Sequence, residues 1–163
     1  MIGSRSAYGL AYYFGCSLSW IRREVMVVGG GQDILGNCLS QITPEDAALA
    51  IGFPPYPLQT LRLLSAAHQR EAITIAITDS FRSPLAQNAR YCLPVATEFT
   101  TFANNAAPTL SLLTALVSLA GAVQPERTAA SLEQLGQFWR ECNIYSSGKT
   151  GKILTNHVRR GPQ

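Results

Sequence analysis

Apolar residues in this chain occur in two patterns: short continuous runs, and stretches in which they recur every three or four positions. The clearest run covers residues 72–77 and ends in Thr78, Asp79 and Ser80. A short β-branched run of this kind is typical of a parallel strand that is buried on both faces. Further strands are predicted at 24–28, 47–53 and 91–96.

The periodic stretches between these runs predict helices. In the helix at 58–70, the spacing places Leu61, Leu64 and Ser65 on the inward face. A short helical turn is expected at 85–89, between the last two strands. Helices are predicted at 7–20, 34–42, 58–70, 107–123 and from 125 onward.

Strands that alternate with helices indicate an α/β fold. We predict a three-layer, doubly wound parallel sheet of about four to five strands with helices on both faces. The 163 residues favour one domain, placed at 1–142, with a flexible C-terminal tail at 143–163. A glycine-serine loop that leads into a helix normally follows a strand. Here at most two residues of that strand precede the loop, so we expect the fold to be shortened at its front.

The composition indicates a protein that covers part of its surface with a partner. Hydrophobic residues make up 47% of the chain and charged residues 14%, so the most direct expectation is a homodimer or a higher homo-oligomer. The net charge of +3 is too small to indicate nucleic-acid binding by the chain itself.

The cysteines and histidines do not form a recognisable metal or disulfide pattern. The four cysteines lie far apart without a CxxC spacing, and the two histidines are isolated. We therefore expect no metal, no cofactor and free thiols in a reducing cytoplasm. The apolar stretch at 108–123 is too short and too rich in hydroxyl groups for a membrane span, so no membrane association is predicted.

Three segments, at 2–11, 50–60 and 72–96, resemble a known family. They read IGSRSAYGLA, AIGFPPYPLQT and AITIAITDSFRSPLAQNARYCLPVA. They are similar to the sugar-isomerase (SIS) domain of RpiR-type transcriptional regulators, and the likeness extends over about residues 1–142. The resemblance implies a domain that senses a phosphosugar and dimerises, in a regulator of carbohydrate metabolism. The family's DNA contacts belong to an N-terminal helix-turn-helix domain, and nothing before Ile2 forms one here.

The candidate ligand-binding residues lie where strands end and helices begin. Hydroxyl groups and backbone N–H groups at helix N-termini suit a phosphate, because the helix dipole favours an anion there. The alternative is that each hydroxyl only caps its own helix or turn. The candidates, including those from the matching segments, are Ser4, Arg5, Ser6, Tyr56, Thr60, Thr78, Asp79 and Ser80.

Two departures from the family pattern bear on activity. Where related domains carry a serine-rich phosphate loop, residues 52–57 contain three prolines, which have no N–H to donate. Isomerases of the group need a glutamate or histidine as a base. Gln59 stands near the position where this base is sought, and Glu98 is the only acidic residue with an approach to the site. We therefore predict no enzyme and no catalytic residues. Two alternatives stay open: a sugar-phosphate isomerase, or a dimerisation module whose ligand site has decayed.

Overall fold

A computed structural model describes residues 1–29, 40–97 and 104–145. The helix predicted at 34–42 lies largely outside these residues, as do Glu98 and all but the first three residues of the predicted tail at 143–163. Within them, short 3₁₀ turns occupy Arg5–Ala7 and Ala86–Asn88. The longer elements are β1 (Ile2–Gly3), α1 (Tyr8–Ser19), β2 (Ala47–Ile51), α2 (Leu58–Gln69), β3 (Ile73–Thr78), β4 (Tyr91–Pro94), α3 (Ala107–Val123) and α4 (Pro125–Glu141).

The four described strands form one parallel sheet in the order β1-β2-β3-β4. This confirms the predicted α/β fold with a parallel sheet. The first strand has two residues. Because every strand is parallel to its neighbour, the carboxyl ends of β1, β2 and β3 lie along one edge of the sheet.

The strand predicted at 24–28 is reduced to one bridge, so that prediction was wrong in extent. Val28 pairs in parallel with Ile2, while Ile2 also pairs with Ala50 of β2. The reason is that β1 offers only two residues for pairing, and Glu24 has a left-handed backbone with φ of 62°. The chain that follows β1 therefore pairs first along one side of this strand and then along its other side. Such a reversal of direction is where open α/β sheets bind ligands.

Both faces of the central strands are buried, as in parallel sheets that helices cover. On β2, Ala48 and Ala50 belong to a core cluster that also contains Leu63, Leu64 and Ala67 of α2. These small strand residues leave room for the helix to pack closely. The opposite face carries larger buried side chains: Leu49, Ile51 and Ile77.

The inward face predicted for α2 was partly wrong. Leu64 is fully buried, whereas Leu61 and Ser65 are half-buried. The buried positions are instead shifted around the helix toward Leu63 and Ala67. This face of α2 packs against the alanine surface of β2. The periodicity of apolar residues in α2 alone does not specify which face is buried.

The described residues form two compact units. The first, 1–15 and 26–114, contains the sheet and α2. The second, 16–25 together with the described part of 115–163, contains α4. In the second unit, Trp139 makes edge-on contacts with Trp20 and Tyr145, and the Thr128 hydroxyl donates to the Gly121 carbonyl at 3.0 Å. Of the helices in the described ranges, none alone has the length and hydropathy to cross a membrane. Taken together, α3 and α4 meet that test, but they are bent by 107° at their junction.

Candidate functional site

The loops after β1, β2 and β3 bring most of the candidate residues to one edge of the sheet. Ser4 directly follows β1, the proline-rich loop at 52–57 follows β2, and Thr78 ends β3 before Asp79. Each of these loops also leads toward a helix or a helical turn. Two groups of side chains are tied together at this edge.

The first group joins the starts of two helical segments. Thr60, in the first turn of α2, donates its hydroxyl to Oγ of Ser4 at 3.0 Å. The Ser4 hydroxyl in turn approaches Oε1 of Gln59 at 3.4 Å. Ser4 and Thr60 are 2% and 1% exposed, so these two hydroxyls satisfy each other inside the protein.

The second group is centred on a carboxylate at the end of β3. Oδ1 of Asp79 accepts a hydrogen bond from the Tyr56 phenol at 2.5 Å and another from the Thr78 hydroxyl at 3.0 Å. Thr78 is fully buried, and Tyr56 and Asp79 are half-buried. Both donors go to Oδ1, and Oδ2 receives no hydrogen bond from the residues that the structure describes.

Burial and Asp79 together change the acidity of Tyr56. Partial desolvation, the hydrogen bond to Asp79 and the negative charge of Asp79 raise the pKa of the phenol from 10.0 to about 12. Desolvation also raises the pKa of the Cys92 thiol on β4, with a smaller contribution from the charge of Asp79. The phenol therefore remains a hydrogen-bond donor, and the thiol remains neutral, throughout the physiological range.

The remaining candidates are placed differently. Arg5 and Ser6 are exposed in the 3₁₀ turn that leads into α1, and Arg5 has a left-handed backbone with φ of 54°. Oγ of Ser80 accepts the backbone N–H of Arg82 at 3.1 Å, so this hydroxyl caps its own loop. The structure thus joins Ser4 with Thr60, and Tyr56 with Thr78 and Asp79, while the other three stand apart from these networks.

Asn104 and Thr109, near the start of α3, were missed by the sequence reasoning. The side-chain amide of Asn104 donates to the Pro54 carbonyl at 3.3 Å, which brings the approach to α3 next to the proline-rich loop. Oδ1 of Asn104 and Oγ1 of Thr109 are buried and have no hydrogen-bond partner among the described residues. The available signal in the sequence was the Asn-Asn pair just before an apolar helix, because asparagine often caps the start of a helix. In the structure, Oδ1 of Asn105 accepts the backbone N–H of Ala107 at 3.1 Å.

The described residues do not bring together three or more side chains that could hold a metal ion. Cys16 and Cys92 are half-buried free thiols and Cys142 is an exposed one. The expected free thiols are therefore present at these three positions, and Cys38 lies outside the described residues.

Comparison with known proteins gives a family match and a set of structural likenesses. The model of the SIS domain family matches residues 1–120. The sugar isomerase domain of an RpiR transcription factor from Sphaerobacter thermophilus is 24% identical, with a TM-score of 0.79 over 83% of this chain and 76% of that chain. The Vibrio vulnificus NanR protein, in complex with ManNAc-6P, is 16% identical, with a TM-score of 0.70. The match covers 90% of this chain but only 56% of the NanR chain.

A candidate sugar-phosphate isomerase from Listeria monocytogenes is also similar, with 18% identity, a TM-score of 0.61 and coverage of 79% of this chain and 73% of that chain. At these identities the structural likenesses establish the fold. No curated protein matches the sequence.

Proposed function

This chain belongs to the SIS domain family, and we propose that it is the phosphosugar-sensing and dimerisation domain of an RpiR-type transcriptional regulator. The regulator's contact with DNA would be made by a helix-turn-helix domain. The NanR structure, which holds ManNAc-6P, supports a sugar phosphate as the class of effector.

The hydrogen bond between Ser4 and Thr60 is the observation that carries this proposal. It fixes the turn that leads into α1 beside the first turn of α2, at the carboxyl ends of β1 and β2. The N-terminal ends of helices carry unpaired N–H groups and a partial positive charge, which together favour an anion. A phosphate group at this point would be held by backbone N–H groups, the Ser6 hydroxyl and the Arg5 guanidinium. Ser6 and Arg5 are both exposed there.

The sugar part of the ligand would be bound near β3. A carboxylate repels phosphate but accepts hydrogen bonds from sugar hydroxyls, and Oδ2 of Asp79 is open to such a donor within the described structure. The bonds from Tyr56 and Thr78 hold this carboxylate in one orientation. We therefore orient the ligand with its phosphate toward Arg5 and Ser6 and its hydroxyls toward Asp79.

Binding without turnover is supported by Gln59. Its amide lies in the Ser4 network, near where an isomerase would need a base, and an amide does not take up a proton at neutral pH. Incubation with aldose phosphates, followed by NMR, should therefore give no ketose phosphate. Conversion would establish the isomerase alternative instead.

Dimerisation is supported by exposed apolar side chains in the first unit. Tyr12 on α1 is 54% exposed and Leu110 on α3 is 41% exposed. Light scattering is expected to give the mass of a dimer, which Leu110→Glu should shift toward the monomer. Gln69→Glu is the control, because Gln69 is an exposed polar residue on α2 and the change adds the same charge outside the apolar side chains. A monomeric parent protein would contradict this part of the proposal.

Thermal melting with a panel of sugar phosphates, including ManNAc-6P, tests the sensor function. A ligand that binds only the folded protein raises the melting temperature. We expect a rise with one sugar phosphate, a smaller one with inorganic phosphate and none with the parent sugar. Arg5→Gln and Ser6→Ala should remove the rise, whereas Arg62→Gln, an exposed arginine on α2, should leave it unchanged.

A dimerisation module with a decayed site is the second candidate. It is favoured because the hydroxyls of Ser4, Thr60 and Thr78 already form hydrogen bonds with other protein side chains. The three prolines in the loop at 52–57 favour it as well. The melting experiment separates the two. No rise with any sugar phosphate, in a protein that remains dimeric, would establish this module and overturn the sensor.

A further inference from the structure

A groove in the second unit carries a concentration of positive charge that the sheet-edge site does not use. It has a volume of about 550 Å³ and lies between the segment at 19–23 and one face of α4. Three arginines line it, Arg22, Arg23 and Arg127, together with Trp20. Among the residues that the structure describes, no aspartate or glutamate belongs to this lining.

The α4 side of the groove follows from helical geometry. The lining positions 127, 130, 131, 134 and 135 recur every three or four residues, so they form one continuous face. This face presents Ser131 and Gln134 as polar groups and Leu135 as an apolar one. A smaller adjoining cavity of about 170 Å³ also contains Arg22 and Arg127 in its lining.

The three guanidinium groups are not neutralised within the described part of the chain. All three arginines are exposed, and Arg127 donates a hydrogen bond to a neutral group, Oε1 of Gln124, at 3.3 Å. Glu126 and Glu133 lie on α4 but outside the groove lining. A concave surface with one sign of charge concentrates the field and attracts a counter-ion.

We propose that this groove is a second ligand site, which binds a small phosphorylated compound with at least two negative charges. The guanidinium group is planar, and its N–H groups can donate two parallel hydrogen bonds to two oxygens of one phosphate. The volume is that of a small-molecule site. Trp20, Ile21 and Leu135 provide an apolar surface for the organic part of the compound, and Ser131 and Gln134 provide hydrogen bonds.

A nucleic acid fits these observations less well. A phosphate backbone is bound by a row of cations along an extended surface, whereas this positive charge is gathered in one groove of a chain with a net charge of +3. The site also belongs to a different unit from the sheet edge. Its ligand can therefore be tested without reference to the sensor function.

Pyrophosphate is a suitable first probe, because it has several negative charges and no sugar. Trp20 lines the groove, so binding is expected to change tryptophan fluorescence, with calorimetry as a second measurement. Arg22→Gln and Arg127→Gln should each weaken binding by about tenfold or more, since each removes hydrogen bonds to a charged group. Arg62→Gln, whose position lies in the first unit and outside the sheet-edge site, should leave it unchanged.

Three results would overturn this proposal. The first is the absence of saturable pyrophosphate binding at millimolar concentration. The second is an equal loss of binding in Arg62→Gln, which would indicate non-specific charge attraction. The third is a short DNA or RNA duplex that binds more tightly than pyrophosphate and depends on the same arginines. Because the substituted arginines are exposed, the variants are expected to melt as the parent protein does.

Discussion

The phenol of Tyr56 donates a hydrogen bond of 2.5 Å to Oδ1 of Asp79. The two residues are 23 positions apart in the chain, on the segments that follow β2 and β3. They meet because β2 and β3 are parallel neighbours, with Ile51 paired to Ile77 at their carboxyl ends. This bond ties the proline-rich loop to the end of β3, and with the burial of Tyr56 it raises the pKa of the phenol.

Tyr56 is expected to make the protein less stable at high pH. Its pKa is raised from 10.0 to about 12, chiefly by desolvation and then by Asp79, so the folded state holds this proton more tightly than the unfolded state. The resulting stabilisation is complete below pH 10 and is lost as the pH rises through the interval to about 12. Urea unfolding at a series of alkaline pH values should therefore show a steeper fall in unfolding free energy for the parent than for Tyr56→Phe.

Tyr91→Phe provides the control for this measurement. Tyr91 is 53% exposed on β4, so its replacement should leave the steep alkaline fall of the parent protein in place. Parallel curves for the parent and Tyr56→Phe would show that the phenol is not held by Asp79 in solution.

Thr78→Val should destabilise the protein by about 1 kcal/mol, because it removes a buried hydrogen bond to a carboxylate while keeping the branched shape. The Thr78 hydroxyl is fully buried and donates to Asp79 at 3.0 Å. Chemical denaturation measures the change. Thr78→Ser keeps the hydroxyl and serves as the comparison, although it loses a buried methyl group. Equal unfolding free energies for Thr78→Val and the parent would contradict a role for this bond in stability.

The sequence was sufficient to predict the sheet because its central strands are continuous apolar runs. Residues 47–51 and 73–78 are short apolar runs, which are typical of strands in a buried parallel sheet. The same reasoning overestimated the strand at 24–28. An apolar run forms a strand only where a neighbour offers backbone groups for pairing, and the two residues of β1 support only the bridge to Val28.

The candidate site was predictable in position but not in its bonding. The sequence placed Ser4, Thr60 and Thr78 at strand and helix ends, where they lie. It did not reveal that Ser4 and Thr60 bond to each other across 56 positions, because such a contact depends on how β1 and α2 meet. Thr109 was missed because an isolated threonine in an apolar helix gives no signal of burial without a partner.

Ser4→Ala should lower the unfolding free energy by about 1–3 kcal/mol, since it leaves the buried Thr60 hydroxyl without its acceptor. Thr60→Val should have a similar effect. In the double variant both partners are gone, so its loss is expected to be smaller than the sum of the two single losses. Denaturant unfolding of the four proteins measures this coupling. Strictly additive losses would mean that the two hydroxyls do not interact in solution.

Gly3 and Gly9 are expected to respond in opposite directions to replacement by alanine. A Cβ atom on Gly3 would lie 2.7 Å from the Ala7 carbonyl oxygen and 2.7 Å from Cβ of Ala11, because β1 passes directly against the start of α1. Gly3→Ala should therefore destabilise the protein by about 1–3 kcal/mol through overpacking. Gly9 is exposed in α1 with nothing within 4 Å of the added atom, so Gly9→Ala should stabilise it by up to about 1 kcal/mol. Thermal and denaturant unfolding of the pair measures both changes. A neutral Gly3→Ala would show that β1 does not approach α1 this closely.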